Sequence, residues 1–209
     1  MSQRNAKPLL IVVSAPSGAG KTTLCERLLR EHTNIAYSVS CTTRAPRGKE
    51  KEGRDYYFLS EDAFQEHVDN GAFLEHANVH GSRYGTLKRI VEETCDRGQS
   101  ILMDLDVQGA AQIRKAIERL PEGSMMKDRF VDIFIEPPSM EVLHNRLVGR
   151  GEDSDDAIER RIRNAELEMP YRDAYRYQIV NRDIEEAYEQ FKEIVVNEMT
   201  NGLDAASVT

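Results

Sequence analysis

Apolar runs recur along this chain at residues 9–13, 101–103 and 130–135, the last interrupted once by Asp132. Each is shorter than an ordinary helix and bounded by polar or turn-forming residues, the pattern of a strand buried on both faces. Residues 35–39 alternate, and 72–79 and 177–181 are rich in strand formers, so the expected strands span 9–13, 35–39, 72–79, 100–106, 130–135 and 177–181. Elsewhere apolar positions return at helical spacing. The expected helices end near Glu31, Gly71, Gly98 and Leu120, then span 139–150, follow an acidic turn at 151–156, and close the chain from 183 to about 199, with a frayed tail from Thr200. Ser60, Thr86 and Ser139 stand where N-caps belong, and 81–86 reads as a turn. Residues 40–58 show no period. Strands alternating with helices imply a parallel sheet covered on both sides, a three-layer α/β fold.

The first strand runs into Ser14-Ala15-Pro16-Ser17-Gly18-Ala19-Gly20-Lys21-Thr22-Thr23, and a helix follows. A buried strand, a small-residue turn and a helix start form the context of a phosphate-binding loop. Backbone N–H groups wrap an anion there, and the helix N-terminus adds partial positive charge. Lys21 suits the β- and γ-phosphates of a nucleotide, and the Thr22 hydroxyl suits Mg²⁺. The usual pattern has glycine where this chain has Ala15, which is tolerable only if φ there is negative.

Other candidates gather downstream. In the aperiodic stretch 40–58, Arg44 and Arg47 flank a proline and suit a bidentate grip on phosphate, with Tyr56 as a further donor. Taken alone, that stretch reads as a solvated charged loop; beside a phosphate loop the two readings stand equal. Glu75 lies among apolar residues, where it needs either exposure or a designated donor. Asp104 and Asp106 end an apolar strand, the place of a residue that orders Mg²⁺ beside a phosphate loop. Arginines on the helices around 139–169 suit a lid over phosphates.

Composition narrows the function classes. The 209 residues carry a net charge of -8, which argues against broad binding to nucleic acid or an anionic membrane. With 40% hydrophobic and 31% charged residues, the chain reads as an ordinary soluble globular protein. Its three cysteines, Cys25, Cys41 and Cys95, show no pairing spacing and read as reduced thiols in the cytoplasm. His76 and His80 lack a third ligand nearby and read as ordinary histidines. No stretch is long and apolar enough to span a membrane, and no internal repeat is visible.

Together these features resemble the guanylate kinase family of nucleoside-monophosphate kinases, close to its bacterial members, from about Pro8 to Met199. The resemblance rests on residues 14–23, on Ser38-Val39-Ser40-Cys41-Thr42-Thr43-Arg44-Ala45-Pro46-Arg47, Asp55-Tyr56, Phe73-Leu74-Glu75 and Tyr84-Gly85, and on Asp104-Leu105-Asp106-Val107-Gln108-Gly109 and Arg146-Leu147-Val148-Gly149-Arg150-Gly151. It implies a three-layer P-loop kinase fold with a central parallel sheet. The core would be 1–37, 88–137 and 170–209, with an inserted GMP-binding subdomain at 38–87 and a helical lid at 138–169. The implied reaction is reversible, Mg²⁺-dependent transfer of the ATP γ-phosphoryl group to GMP, and to dGMP, in purine nucleotide metabolism.

By the same resemblance, catalysis falls to Lys21, Arg44, Arg150 and Arg161. ATP is held by Ser17, Gly18, Ala19, Gly20, Lys21, Thr22 and Thr23, with Arg146 and Asn181 toward adenine. Arg44, Arg47, Tyr56 and Tyr84 hold the GMP phosphate, while Ser40, Glu75, Thr86 and Asp106 face guanine. Thr22 and Asp104 serve Mg²⁺, directly or through water. The partners are small-molecule nucleotides rather than nucleic acid or membrane, and a homo-oligomer is compatible with the sequence.

The chemistry agrees. Guanine offers N1–H and N2–H₂ as donors on one edge, and an ionised carboxylate only accepts. Adenine would set a lone pair against that carboxylate. An adenylate or thymidylate kinase is one alternative reading, disfavoured by Ser40, Glu75 and Asp106. A non-catalytic guanylate-kinase-like scaffold module is another, disfavoured by the intact Lys21 and Thr22.

Overall fold

The computed structural model describes residues 8–79, 81–151 and 154–204, apart from the side chains at 125, 150 and 201–204. In chain order the elements are β1 (Leu10–Ser14), α1 (Lys21–Glu31), β2 (Ile35–Tyr37), β3 (Cys41–Thr42), β4 (Tyr57–Phe58), α2 (Glu61–Asp69), β5 (Phe73–Val79) and β6 (Ser82–Leu87). There follow α3 (Lys88–Asp96), β7 (Ser100–Asp104), α4 (Val107–Glu118), α5 (Met125–Asp128), β8 (Phe130–Glu136), α6 (Met140–Arg150) and α7 (Asp155–Glu168). A 3₁₀ turn over Met169–Ala174, β9 (Tyr177–Val180) and α8 (Ile184–Asp204) complete the chain.

Five strands form a parallel sheet in the order β2-β7-β1-β8-β9. Its three middle strands are the three apolar runs, buried on both faces; Asp132, the one charge within those runs, is buried in β8 and paired with Arg114. Alternation along β1 splits the core in two. Leu9, Ile11 and Val13 face Leu24 and Leu28 of α1 and Tyr188 and Phe191 of α8. Leu10 and Val12 face Val91 of α3 and Ala110 and Ile113 of α4. The helices that leave β1 and β7 thus pack on opposite faces, and a crevice opens between them at the carboxyl ends of the strands.

A second sheet, ordered β4-β3-β6-β5, lies between β2 and α3 in sequence. Its short strands β3 and β4 are parallel, and the other pairings are antiparallel. Cys41, Phe64 and Phe73 form its own small core. Gln112 of α4 ties this sheet to the main body. Its side-chain amide donates to the His76 carbonyl at 2.7 Å and accepts from the His76 N–H at 3.2 Å.

Several local expectations hold. Ser60 accepts from Ala63 N and Ser139 from Val142 N, each capping its helix. Four expectations change. Residues 82–86 are strand rather than turn, because they pair antiparallel with β5; His80 lies outside the described residues. Thr86 accordingly sits inside β6 and caps nothing, and α3 begins after Leu87 without a side-chain cap. Strand β7 stops at Asp104, and Asp106 caps α4 by accepting from Gly109 N at 2.7 Å. The last helix continues to Asp204 instead of fraying from Thr200, whose hydroxyl donates to the Val196 and Asn197 carbonyls.

Leu102, fully buried at the centre of β7, tests the core directly. Leu102→Ala is expected to cost roughly 2–5 kcal/mol, read as a lower urea midpoint with an unchanged slope.

Candidate functional site

The loop between β1 and α1 turns at two glycines with left-handed backbone, Gly18 (φ 95°) and Gly20 (φ 100°). Gly20 is also the N-cap position of α1, so the first amides of that helix point into the loop. The loop is held from outside. A methyl group on Gly18 would lie 2.9 Å from Leu143 Cδ1 and 3.0 Å from Leu147 Cδ2 of α6. One on Gly20 would collide with the Asn181 side-chain amide. That amide donates to the Ala19 carbonyl at 2.7 Å, and Asn181 is itself buried. Ala15 packs against the first core cluster.

Lys21 opens α1 and forms an ion pair with Asp104 at the end of β7, with a longer contact from Nζ to the Leu105 carbonyl at 3.4 Å. Burial alone would lower the Lys21 pKa, but the Asp104 carboxylate holds it above its ordinary value. Ser17, Gly18, Gly20, Thr22 and Thr23 line the same cavity, together with Asp106 and Glu168 from the end of α7. Burial pushes the Glu168 carboxyl up to about 7, against the pull of Lys21.

A second cavity opens beside the first, and Asp104 and Asp106 line both. Ser40, Tyr56, Glu75 and Tyr84 complete it, with Tyr37. Glu75 is only 4% exposed. The β5–β6 register sets Thr86 opposite it, and the Thr86 hydroxyl donates to Glu75 Oε1 at 2.7 Å. Burial raises the Glu75 pKa to about 7, the Thr86 bonds pull it back, and the nearby Asp106 charge adds to the rise. Gly109 lets α4 approach, since a methyl there would sit 2.9 Å from Glu75 Oε2.

Next to Tyr84 of this cavity, Arg44 has all but one of its guanidinium N–H groups engaged. Its Nε donates to the Tyr84 hydroxyl at 3.3 Å, and its two terminal nitrogens grip both oxygens of Glu50 at 2.9 and 3.0 Å. The Tyr56 ring lies 5.3 Å from the guanidinium carbon, and the Arg47 side chain is exposed nearby.

On the other side, α6 and α7 pack through Leu143, Leu147, Ile158 and Ala165. Arg161 of α7 donates to the Ser17 hydroxyl at 3.3 Å and so reaches the phosphate loop. Arg146 donates to the Asn181 and Arg182 carbonyls. The Arg150 side chain, and Glu152 and Asp153, lie outside the described residues. The fold therefore brings the loop residues, Lys21, Asp104, Asp106 and Arg161 to one cavity. It brings Ser40, Tyr56, Glu75 and Tyr84 to the adjoining one, with Thr86 acting on Glu75 from β6. Asn181 is engaged with the loop itself.

Sequence reasoning missed Glu50, Glu168 and Tyr37. The first two are acids in charged, exposed-looking segments, and only the spacing Arg44-x-x-Arg47-x-x-Glu50 carried a signal.

A family model described as guanylate kinase matches residues 7–198. The guanylate kinase of Geobacter metallireducens is 47% identical over 190 residues, 91% of this chain and 89% of that protein. That of Clostridium acetobutylicum is 43% identical over 192 residues, 92% of this chain and 87% of that protein. The crystal structure of the Anaplasma phagocytophilum guanylate kinase superposes with a TM-score of 0.71 at 36% identity, covering 93% of this chain and 87% of that one.

The Glu75 pKa carries a stability consequence. With its ordinary value at 4.5 and its folded value at about 7, the folded chain holds this proton more tightly than the unfolded chain. The resulting stability is complete below the unfolded value and is lost as pH rises through the folded one. Glu75→Gln is therefore expected to gain on the wild type between pH 4.5 and 7, reaching at most about 3 kcal/mol above that window. Urea midpoints at pH 5 and pH 8 check this, and an equal difference at the two pH values would show that Glu75 titrates as an ordinary carboxylate.

Proposed function

The chain belongs to the guanylate kinase family and phosphorylates GMP from ATP; from that premise we propose which residues carry the transfer, with Mg²⁺ required and dGMP accepted beside GMP. The observation that carries the assignment is Glu75. A buried carboxylate, tied down by one hydroxyl, faces a cavity that shares Asp104 and Asp106 with the phosphate loop.

In this reading residues 38–87 are the acceptor subdomain and 138–169 the lid over the core. Guanine N1–H and N2–H₂ donate to Glu75, and Ser40 donates to O6. Adenine in that place leaves buried groups unpaired at about 1–3 kcal/mol each, and more where one is charged. Two such mismatches give on the order of a thousandfold discrimination. Guanine donation favours the ionised form of Glu75, so acceptor binding relieves the cost of burying it. Thr86 contributes by fixing the orientation of that carboxylate. Arg44, Arg47, Tyr56 and Tyr84 take the acceptor phosphate.

Loop amides and Lys21 hold the donor phosphates, and Lys21 exchanges Asp104 for them. Arg161 and Arg150 steady the transferring group from the lid, and Arg146 faces adenine. Asn181 supports the nucleotide through the Ala19 carbonyl rather than by touching the base. The transfer needs no covalent intermediate; in-line placement and charge neutralisation suffice. Lid closure excludes water as a competing acceptor.

The oxygen donors around the loop suit a hard divalent cation, which takes one or two carboxylates together with substrate phosphates. Thr22 and Asp104 would hold Mg²⁺, with Asp106 adjoining. Bound there, it neutralises charge on the donor phosphates. No described helix is long and apolar enough to cross a membrane. We place the activity in the cytoplasm, in keeping with three free, buried cysteines.

ADP release from ATP and Mg²⁺, with GMP, dGMP, AMP, CMP, UMP and dTMP offered separately, tests the reading. Turnover is expected with GMP and dGMP alone, and comparable turnover with AMP would discard the roles of Ser40, Glu75 and Asp106. Glu75→Gln should lower kcat/KM for GMP roughly a hundredfold, on the order of 3 kcal/mol, with the ATP KM unchanged. Lys21→Ala should abolish turnover, and full activity in that variant would remove the phosphate-loop role.

A further inference from the structure

Glu50 belongs to none of the roles above, yet its carboxylate is among the most completely satisfied in the cleft. It closes a turn in which Glu50 N donates to the Arg47 carbonyl at 3.0 Å and Arg47 N donates back to Glu50 Oε2 at 2.7 Å. Arg44 then grips it with both terminal nitrogens, a planar fork on a planar carboxylate. Glu50 also lines a cavity with Thr22, Tyr37, Tyr56 and Asp104, which puts the residue beside the space between the donor and acceptor sides.

The donor inventory of Arg44 shows what the clamp does. A guanidinium has five N–H groups. Nε is spent on the Tyr84 hydroxyl, Nη1 on the Ala45 carbonyl and Glu50 Oε2, and one N–H of Nη2 on Glu50 Oε1. A single Nη2 N–H is left. The Tyr84 hydroxyl accepts from Arg44 and keeps its own proton to donate, as does that of Tyr56. One fixed N–H, two phenol hydroxyls and the Arg47 guanidinium are enough donors for the three oxygens of a phosphomonoester. Glu50 need not leave for that anion to bind. Without it, Arg44 would be a long side chain on a loop with no regular period, and ordering it would fall on the binding step.

We infer that Glu50 is a positioning residue for the acceptor phosphate: it locks the Arg44 guanidinium so that one N–H faces the phosphate of the incoming nucleotide. The inference rests on Arg44 being a ligand of that phosphate. Its two arginine contacts also keep the Glu50 carboxyl below its ordinary range, so the clamp stays charged at neutral pH.

Steady-state kinetics on the full chain test it, with KM for GMP and for ATP measured in Glu50→Gln, Glu50→Ala, Arg44→Lys and the Arg44→Lys/Glu50→Gln pair. Glu50→Gln and Glu50→Ala are expected to raise the GMP KM about tenfold while the ATP KM and kcat stay within about twofold. In the Arg44→Lys background, which has no fork to hold, Glu50→Gln should add nothing. A lower GMP KM in Glu50→Gln would overturn the inference and make the carboxylate a competitor for the phosphate seat. An unchanged GMP KM, or equal rises for GMP and ATP, would reduce the clamp to a turn brace. If Arg44→Lys itself leaves the GMP KM unchanged, the reading of Arg44 fails, whatever Glu50 does.

Discussion

A loop that wraps an anion with its own backbone amides has few groups left to hold its own shape. Within it the Ala19 N–H donates to the Pro16 carbonyl at 3.0 Å, and its two left-handed glycines have no side chains to pack. The rest of the shape of residues 14–23 is imposed by other parts of the chain. Asn181, just past β9, fastens the Ala19 carbonyl, Leu143 and Leu147 of α6 close on Gly18, and Arg161 of α7 reaches Ser17. Much of the rest of the architecture follows from this. The parallel sheet sets β9 two strands from β1, which brings Asn181 to the loop. The α6–α7 pair must stand on the core at that point and nowhere else.

The second constraint is electrostatic. Asp104, Asp106, Glu75 and Glu168 are crowded around two adjoining cavities, where Lys21 pairs with Asp104 and pulls on Glu168. Two of the four carboxyls sit near pH 7 because burial disfavours their charge. A chain selected for stability alone would replace Glu75 with a neutral residue. A carboxylate buried there at a cost to stability is what the proposed guanine-reading role requires.

The fold was largely legible because its sheet is parallel. Strands buried on both faces read as near-continuous apolar runs, and 9–13 and 130–135 match β1 and β8 to within a residue at each end, despite Asp132 in the second. The second sheet was half hidden. Strands β3 and β4 have two residues each, too few for alternation to register, and β6 carries Gly85 among polar residues, so only its partner β5 makes it a strand. The site divided along the same line. Lys21, Asp104 and Glu75 announced themselves by strand context. Glu50 and Glu168 did not, since an acid in a charged segment acquires meaning only from the cation that the fold sets against it. The resemblance sets Asn181 toward adenine; its grip on the Ala19 carbonyl joins residues 162 apart in the chain, which no local pattern encodes.

The packing of α6 against Gly18 has one more consequence. The leucines that press on the phosphate loop belong to the same two-helix unit that carries Arg146, Arg150 and Arg161. Under the proposed roles, the loop and the α6–α7 pair are two ends of one thermodynamic linkage. Any tilt of α6 that tightened or loosened the loop would alter donor affinity, and donor occupancy would bias that tilt by the same free energy. An effector that touched only the outer face of the pair would then still be felt at the phosphates.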